Sequence, residues 1–250
     1  MTRTRGLGST DRAVSDVVGY VLIFSLIVAT VGVVTTVGFS TLDDRQDAER
    51  INNVERAFDV FANNVENVYR DGAPSRATEM RLAGGTLSHG EPVTITIETD
   101  DDETVTVVSR PLVYSDDNSE IVYAAGAVLR SDDGGSVMLK EPPFRADRPT
   151  ALIPLIETFR TSGPNTVSVD GAIRVTSSAR TVNTTVSNAF ADADDYRITV
   201  DSPRTTAWTR YFESQDGFDN VSESGSTVEA DIRGNSVVAP RFPVRIRFDG

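Results

Sequence analysis

The feature that most constrains this chain is a long apolar stretch near its N-terminus. Residues 17–39, VVGYVLIFSLIVATVGVVTTVGF, are twenty-three residues without a charged side chain. A helix of this length rises roughly 34 Å, which is enough to cross the hydrocarbon core of a bilayer with some tilt. The stretch therefore predicts a transmembrane helix over residues 14–40, with the rest of the chain forming a membrane-proximal body.

The residues that flank the apolar stretch predict its orientation. A short head, residues 1–13, contains Arg3, Arg5 and Arg12, whereas the far side begins with mixed and mostly acidic residues from position 43. Loops rich in arginine and lysine stay on the cytoplasmic side of a membrane. We therefore expect a single-pass protein of the cell membrane, with a cytoplasmic N-terminus and an extracellular C-terminal domain.

Three interpretations of the head and the apolar stretch compete. A cleaved secretory signal has a shorter apolar region of ~7–15 residues and a small-residue cleavage site after it. This stretch is longer, and the residues that follow it, LDD, offer no such site. An uncleaved signal anchor fits the length. The third interpretation is a class III signal, which is cleaved before the apolar stretch so that the helix is retained.

Residues 11–19, DRAVSDVVG, favour the third interpretation through a resemblance. They resemble the N-terminus of archaeal type IV pilins, above all haloarchaeal ones. The resemblance implies that prepilin peptidase cleaves between Ala13 and Val14 and that the retained helix packs with other pilin-like subunits. The chain departs from the pilin pattern at Asp16, where that pattern has proline, and this departure bears on assembly more than on cleavage.

Composition predicts the environment and excludes one class of partner. The chain has a formal net charge of -13, and Lys140 is its only lysine beside 23 arginines. An acidic, lysine-poor surface stays hydrated in concentrated salt, where the Debye length is about 3 Å at 1 M. It therefore indicates a salt-loving source, although a GC-rich genome also favours arginine over lysine. No basic stripe suited to nucleic-acid phosphates is present in the sequence.

A second helical segment, residues 41–72, is predicted to continue from the apolar stretch. Its apolar residues recur in steps of three and four, which is the period of a one-sided helix, and Gly72 followed by Pro74 predicts its end. We expect this stripe to pack on a sheet of the same chain, and a coiled-coil stalk is the alternative. The stripe consists of Ile51, Val54, Phe58, Phe61, Val65 and Val68.

Residues 78–250 predict an antiparallel β-rich extracellular domain, so the fold class is α+β with a pilin-like sheet or sandwich. Alternating apolar residues and turn sequences support this. A short helix is expected near residues 203–213, with Ser202 as its N-cap and one apolar face. Gly126 and Gly171 suggest bulges or close approaches. The expected strands are 91–98, 104–108, 111–114, 120–130, 136–139, 151–159, 166–182, 196–200, 227–232, 236–239 and 244–248.

Segments in this region extend the resemblance. Residues 120–130 (EIVYAAGAVLR), 132–138, 142–144 and 201–204, the last leading to Trp208, look like those of haloarchaeal pilin-like membrane proteins. These segments supply turns, a helix start and core aromatic rings. The resemblance therefore implies a surface pilin-like protein and assigns no biochemical activity.

The sequence offers little for catalysis or cofactor chemistry. His89, the only histidine, is expected in a turn and has no nucleophile motif beside it, so no enzymatic activity and no catalytic, cofactor or metal site is predicted. Acidic runs at 100–103 and 192–195 are expected to be solvated turns, with weak Ca²⁺ binding as the alternative. Asn183 and Asn220 begin glycosylation-type tripeptides.

The function predicted from these features is structural or adhesive. We expect a membrane-anchored pilin-like protein on the surface of a halophilic archaeon, processed by prepilin peptidase and assembled through its apolar helix. The alternative is a non-polymerising single-span surface glycoprotein or extracellular binding module. An extracellular hydrolase that uses two carboxylates is a third class, and sequence spacing singles out no residue pair for it.

Overall fold

The computed structural model describes residues 10–82, 84–101, 103–116, 118–132, 135–146, 149–161, 163–168, 171–179, 187–191 and 195–249. Contacts divide the chain into two compact units, Met1–Arg50 and Ile51–Gly250. The second unit is called the body below. It contains all the strands and the second helix described here.

The first helix, α1, comprises Thr10–Tyr69, which covers the predicted segment 14–40 and all but the last three residues of the predicted segment 41–72. Its residues up to Arg50 belong to the first unit, and those from Ile51 belong to the body. Gly72 adopts a φ of +71°, a left-handed conformation that costs glycine little and commonly ends helices. The predicted glycine stop is therefore confirmed.

The described residues form seventeen strands and one further helix, α2, at Thr205–Ser214. The strands are β1 Ser75–Arg81, β2 Thr86–His89, β3 Val93–Thr99, β4 Thr104–Ser109, β5 Leu112–Ser115, β6 Ser119–Ala124, β7 Ala127–Asp132, β8 Gly135–Lys140, β9 Thr150–Leu152, β10 Leu155–Arg160, β11 Thr166–Ser168, β12 Ala172–Ala179, β13 Ser187–Ala191, β14 Tyr196–Asp201, β15 Phe218–Ser224, β16 Thr227–Ile232 and β17 Ser236–Asp249.

These strands form three sheets within the described part of the chain. The first sheet has the order β1-β12-β17-β10, with β9 and β13 also paired to β17. The second has the order β11-β2-β5-β6-β7-β8, and the third has the order β15-β16-β14-β3-β4. Pairing is mostly antiparallel, so the α+β class holds. The predicted antiparallel pairing therefore describes most of the sheets, with two exceptions, because β9 and β10 both run parallel to β17.

The apolar stripe of α1 is part of the core of the body. All six predicted stripe residues are buried, and Phe58, Phe61 and Val65 are fully so. They share one hydrophobic cluster with residues of the first and second sheets, including Val175 and Tyr123. The prediction that this stripe packs on sheets of the same chain is confirmed. Since burying one such side chain contributes about 1.5–3 kcal/mol, the stripe is a large share of the stability of the body.

The middle strands of the second sheet, β5 to β7, are buried on both faces. Tyr114, Ile121 and Tyr123 belong to the cluster that contains the α1 stripe, whereas Val113 and Val122 belong to a second cluster. Successive side chains of a strand point to opposite faces, so the middle strands β5, β6 and β7 each contribute to both clusters. This explains why residues 120–130 are almost continuously apolar.

The helix α2 confirms one local prediction and corrects another. Ala207, Trp208, Tyr211 and Phe212 are buried on one face, as expected. Ser202 is not the N-cap, since the helix begins at Thr205, its cap position is Arg204, and that side chain makes no capping hydrogen bond to the helix. The Ser202 hydroxyl instead accepts a hydrogen bond from the Arg204 N–H at 3.2 Å, which forms a turn before the helix.

Residues 120–130 form a hairpin and not one strand. Strands β6 and β7 pair Ala124 with Ala127, and Ala125 and Gly126 between them have φ values of 51° and 91°. Two consecutive positive φ angles are typical of the tight turns that match strand twist. The predicted close approach at Gly126 is confirmed, because an added Cβ would lie 2.7 Å from Ile156 Cδ1.

Other strand boundaries also differ from the prediction. The list of expected strands includes none within 217–225 or 188–195, yet these segments contain β15 and much of β13. The predicted strands 151–159 and 166–182 are each divided, into β9 with β10 and into β11 with β12. Gly171 has open space around it, so the predicted close approach there is wrong.

Candidate functional site

The apolar part of α1 lies outside any core. Residues Val17–Thr36 form a helical segment long and apolar enough to cross a membrane, and none of it is buried. A signal sequence near an N-terminus also meets these criteria of length and composition. Thirteen large apolar side chains between Val17 and Val34 are at least half exposed. They form the main exposed hydrophobic surface among the described residues.

The predicted cleavage and glycosylation positions have different surroundings. Ala13 and Val14 lie in the helical backbone of α1, and cleavage between them stays a prediction. Asn220 lies in β15 at a positive φ of 49°, beside an irregularity in the pairing of β15 with β16. Its side-chain amide donates a hydrogen bond to Asp231 Oδ2 at 2.8 Å, so this bond involves the nitrogen to which a glycan would be attached. Asn183 lies outside the described residues.

His89 is a buried residue at the end of β2, and the expectation that it lies in a turn is wrong. Its ring stacks on Phe248 with centroids 4.7 Å apart. Neither ring nitrogen has a hydrogen-bond partner among the described residues. Burial, with smaller contributions from Arg160 and Arg110, lowers the pKa of His89 to about 4, so the ring is neutral near pH 7.

The acidic run at 100–103 forms part of a turn where the structure describes it, whereas of the run at 192–195 only Asp195, directly before β14, is described. Thr99 and Glu103 close the turn between β3 and β4, with the Thr99 N–H donating to the Glu103 carbonyl at 3.0 Å. Among the described residues no group of three or more histidine, aspartate or glutamate side chains is placed to hold a metal ion. Asp102, Asp192 and Asp194, which belong to the predicted runs, lie outside the described residues.

A cavity of about 430 Å³ opens in the body beside the C-terminal turns of α1. This volume is in the range of small-molecule sites in proteins. The walls come from the end of α1, the turn between β6 and β7, the end of β8 with the segment after it, the residues around β9, and β17. The lining residues are Ala62, Glu66, Tyr69, Arg70, Tyr123, Gly126, Lys140, Glu141, Pro143, Arg145, Leu152, Pro154, Pro240 and Phe242.

Part of the cavity wall is apolar and rigid. The rings of Tyr69 and Phe242 contact each other with centroids 5.0 Å apart. Pro143, Pro154 and Pro240 add wall surface whose backbone φ is fixed by the proline ring. Such a wall changes little when a ligand enters, which reduces the entropy lost on binding.

Five charged residues line the cavity, and three of them are basic. Arg70, the first residue after α1, pairs with Glu66 of the last helical turn at 2.7 Å. The Lys140 ammonium lies 3.6 Å from a carboxylate outside the lining, that of Asp59. For Arg145, by contrast, the described part of the chain provides no ion pair. Together with Glu141, these groups give the lining a formal charge of +1, opposite in sign to the chain as a whole.

Tyr123 adds a buried polar group to the lining. The residue is 1% exposed, and its hydroxyl has no hydrogen-bond partner among the described residues. Burial, followed by the nearby Tyr69 and Glu66, raises the pKa of Tyr123 well above its usual value, so the hydroxyl stays a neutral donor. Buried hydroxyls in proteins normally have a partner, which makes this one informative.

Sequence reasoning did not find the cavity. Its lining residues are spread from position 62 to position 242, so no motif or spacing unites them. Lys140, the only lysine of the chain, is the one signal that compositional reasoning had singled out, and it does belong to the lining.

Comparison with known proteins places the chain in a family without assigning it an activity. Residues 12–247 match the family described as "Family of unknown function (DUF7289)". No curated protein and no solved structure gave a significant match. Because the match extends over almost the whole length, the chain belongs to this family of unknown function, DUF7289.

Proposed function

We propose that this chain is a membrane-anchored protein of the cell surface, pilin-like in build, with a structural or adhesive role. The observation that carries the proposal is the exposed apolar surface of residues Val17–Thr36. Burying a large apolar side chain contributes about 1.5–3 kcal/mol, so covering thirteen half-exposed ones contributes on the order of 10 kcal/mol or more. Lipid or the apolar helices of sister subunits would supply that cover.

In this proposal the head is cytoplasmic and the body is extracellular, as the arginines before the helix suggest. Prepilin peptidase would cleave between Ala13 and Val14, and the retained helix would anchor the protein or pack in a filament. Gly19 and Gly32 have open space around them, which suits close packing of helices. The acidic surface suits a salt-loving archaeon, and Asn220 is a candidate glycan site.

The proposal assigns no catalysis to the body. His89 is buried against Phe248 and neutral, which suits a structural role better than acid–base chemistry. The second candidate, a non-polymerising surface glycoprotein or binding module with an uncleaved anchor, is favoured by the cavity of the body. Asp16 also favours it, because the pilin pattern has proline at this position.

The test is fractionation of cells that express the full chain with a C-terminal tag. We expect the protein to remain in membranes after an alkaline carbonate wash. In the double variant Leu22→Arg/Ile27→Arg each substitution costs about 2.5–3.5 kcal/mol of insertion free energy, so that variant should be released. The matched control is Val60→Arg, which changes an exposed apolar residue of the same helix outside the span.

Protease added to intact cells tests the orientation in the same experiment. The proposal expects the C-terminal tag to be removed while a cytoplasmic marker protein survives. Wild-type protein in the soluble fraction would refute the anchor. A tag that is degraded only after lysis would refute the external position of the body.

A further inference from the structure

We propose that the cavity between α1 and the sheets of the body binds a small organic anion that carries an apolar, ring-sized group. This inference does not depend on the pilin-like proposal, because it concerns only residues of the body. It rests on the charge of the lining, the apolar wall and the unpartnered Tyr123 hydroxyl.

The charge of the lining selects an anion. Three basic and two acidic residues line the cavity, within a chain whose net charge is -13. In concentrated salt the Debye length falls to about 3 Å at 1 M, so the charge of the whole chain is screened. Only charged groups in direct contact with a ligand then affect its binding. The local excess of one positive charge therefore favours a monoanion.

Arg145 is the residue best suited to hold the anionic group. Within the described residues its guanidinium has no ion pair, whereas Arg70 is engaged by Glu66 at 2.7 Å. A guanidinium offers a planar fork of donors that matches a carboxylate with two hydrogen bonds. Lys140 lies in the same lining and supplies a second positive charge, although Asp59 lies 3.6 Å from its ammonium.

The apolar wall selects an organic ligand over an inorganic ion. Tyr69, Phe242 and three prolines offer ring faces that phosphate or sulfate would not cover. A cavity of about 430 Å³ also exceeds what one such ion fills. A ligand with a flat or cyclic apolar group would cover these faces and gain the corresponding hydrophobic free energy.

Tyr123 gives the site a polar group that the protein itself leaves without a partner. An unpaired buried hydroxyl normally costs stability, so its retention in the lining is explained if a ligand accepts its hydrogen bond. This residue also offers a clean variant. Tyr123→Phe removes only the hydroxyl, keeps the ring that contacts Phe61, and leaves no protein group unpaired.

The test is ligand binding to the full chain in detergent, measured by calorimetry at one fixed molar salt concentration. The probes are 3-phenylpropanoate, its neutral analogue 3-phenylpropan-1-ol, its cationic analogue 3-phenylpropylamine, and acetate, which lacks the ring. We expect saturable binding of 3-phenylpropanoate, at least about tenfold tighter than that of the other three probes.

Variants locate the binding site. Arg145→Gln and Tyr123→Phe should each weaken binding of 3-phenylpropanoate by about fivefold or more. Arg76→Gln is the matched control, because it changes an exposed arginine of β1 outside the cavity, and it should leave binding unchanged. Fluorescence of Trp208, the only tryptophan, verifies that each variant is folded.

Four results would each overturn the proposal. The first is the absence of saturable binding of 3-phenylpropanoate to the folded wild-type chain. The second is binding of the alcohol or the amine that is as tight as that of 3-phenylpropanoate or tighter, and the third is equally tight binding of acetate. The fourth is a loss of affinity in Arg76→Gln equal to that in Arg145→Gln and Tyr123→Phe. The fractionation experiment above is independent of this one, so failure of one proposal is distinguishable from failure of the other.

Discussion

Replacing Phe61 with alanine tests whether the α1 stripe stabilises the body. Phe61 is fully buried and meets the ring of Tyr123 edge-on, with centroids 5.2 Å apart. Truncating a buried phenylalanine costs about 3–5 kcal/mol, through lost burial and the cavity that remains. For a body of this size each kcal/mol lowers the melting temperature by about 2–4 °C, so we expect a decrease of about 6–20 °C.

The neighbouring residue provides the control for this prediction. Val60 lies on the same helix turn but is 51% exposed, so Val60→Ala should change stability by less than about 0.5 kcal/mol. Unfolding of the full chain in detergent is followed by the fluorescence of Trp208, which is fully buried in the other cluster of the body. Equal melting temperatures for the two variants would refute the packing of α1 on the sheets and revive the coiled-coil stalk.

Three further predictions concern pH, backbone conformation and salt. Because the folded state lowers the pKa of His89 from 6.5 to about 4, stability is fully present above pH 6.5 and falls as the pH decreases toward 4. After allowance for screening, wild type should lose about 1 kcal/mol more than His89→Gln between pH 6.5 and 5, and equal losses would contradict this. Gly126→Ala should destabilise the body by about 1–3 kcal/mol more than Gly225→Ala in thermal unfolding. Both glycines have a positive φ, but only at Gly126 would an added Cβ meet neighbouring side chains, and equal effects would argue against this crowding. The halophilic interpretation expects loss of the folded body at 50 mM salt by circular dichroism, and a fully folded, soluble chain there would count against it.

Periodicity predicted the parts of the fold that depend on one segment. The α1 stripe recurs every three or four residues, and each of its six members is buried. The alternation in residues 91–98 and 104–108 likewise predicted strands β3 and β4, which pair with each other in the structure. In both cases neighbouring residues along the chain carry the information, because they lie on one face of one element.

Features that depend on contacts between distant segments were not predictable. The parallel pairing of β10 with β17 joins Leu155 to Arg241, and strand alternation contains no information on direction. The turn at Ala125 and Gly126 was missed because alanine rarely adopts a positive φ. The cavity combines residues from distant elements, so only the assembled body brings Tyr123 near Arg145.

The proposed function requires that residues 17–39 are retained as a membrane helix after cleavage between Ala13 and Val14. The most direct measurement is the N-terminal sequence and intact mass of the full-length product extracted from membranes of its host. We expect the protein to begin at Val14, with the apolar helix intact. An N-terminus beyond residue 39 would contradict the anchor altogether, and one at Met1 or Thr2 would contradict pilin-type processing in favour of an uncleaved anchor.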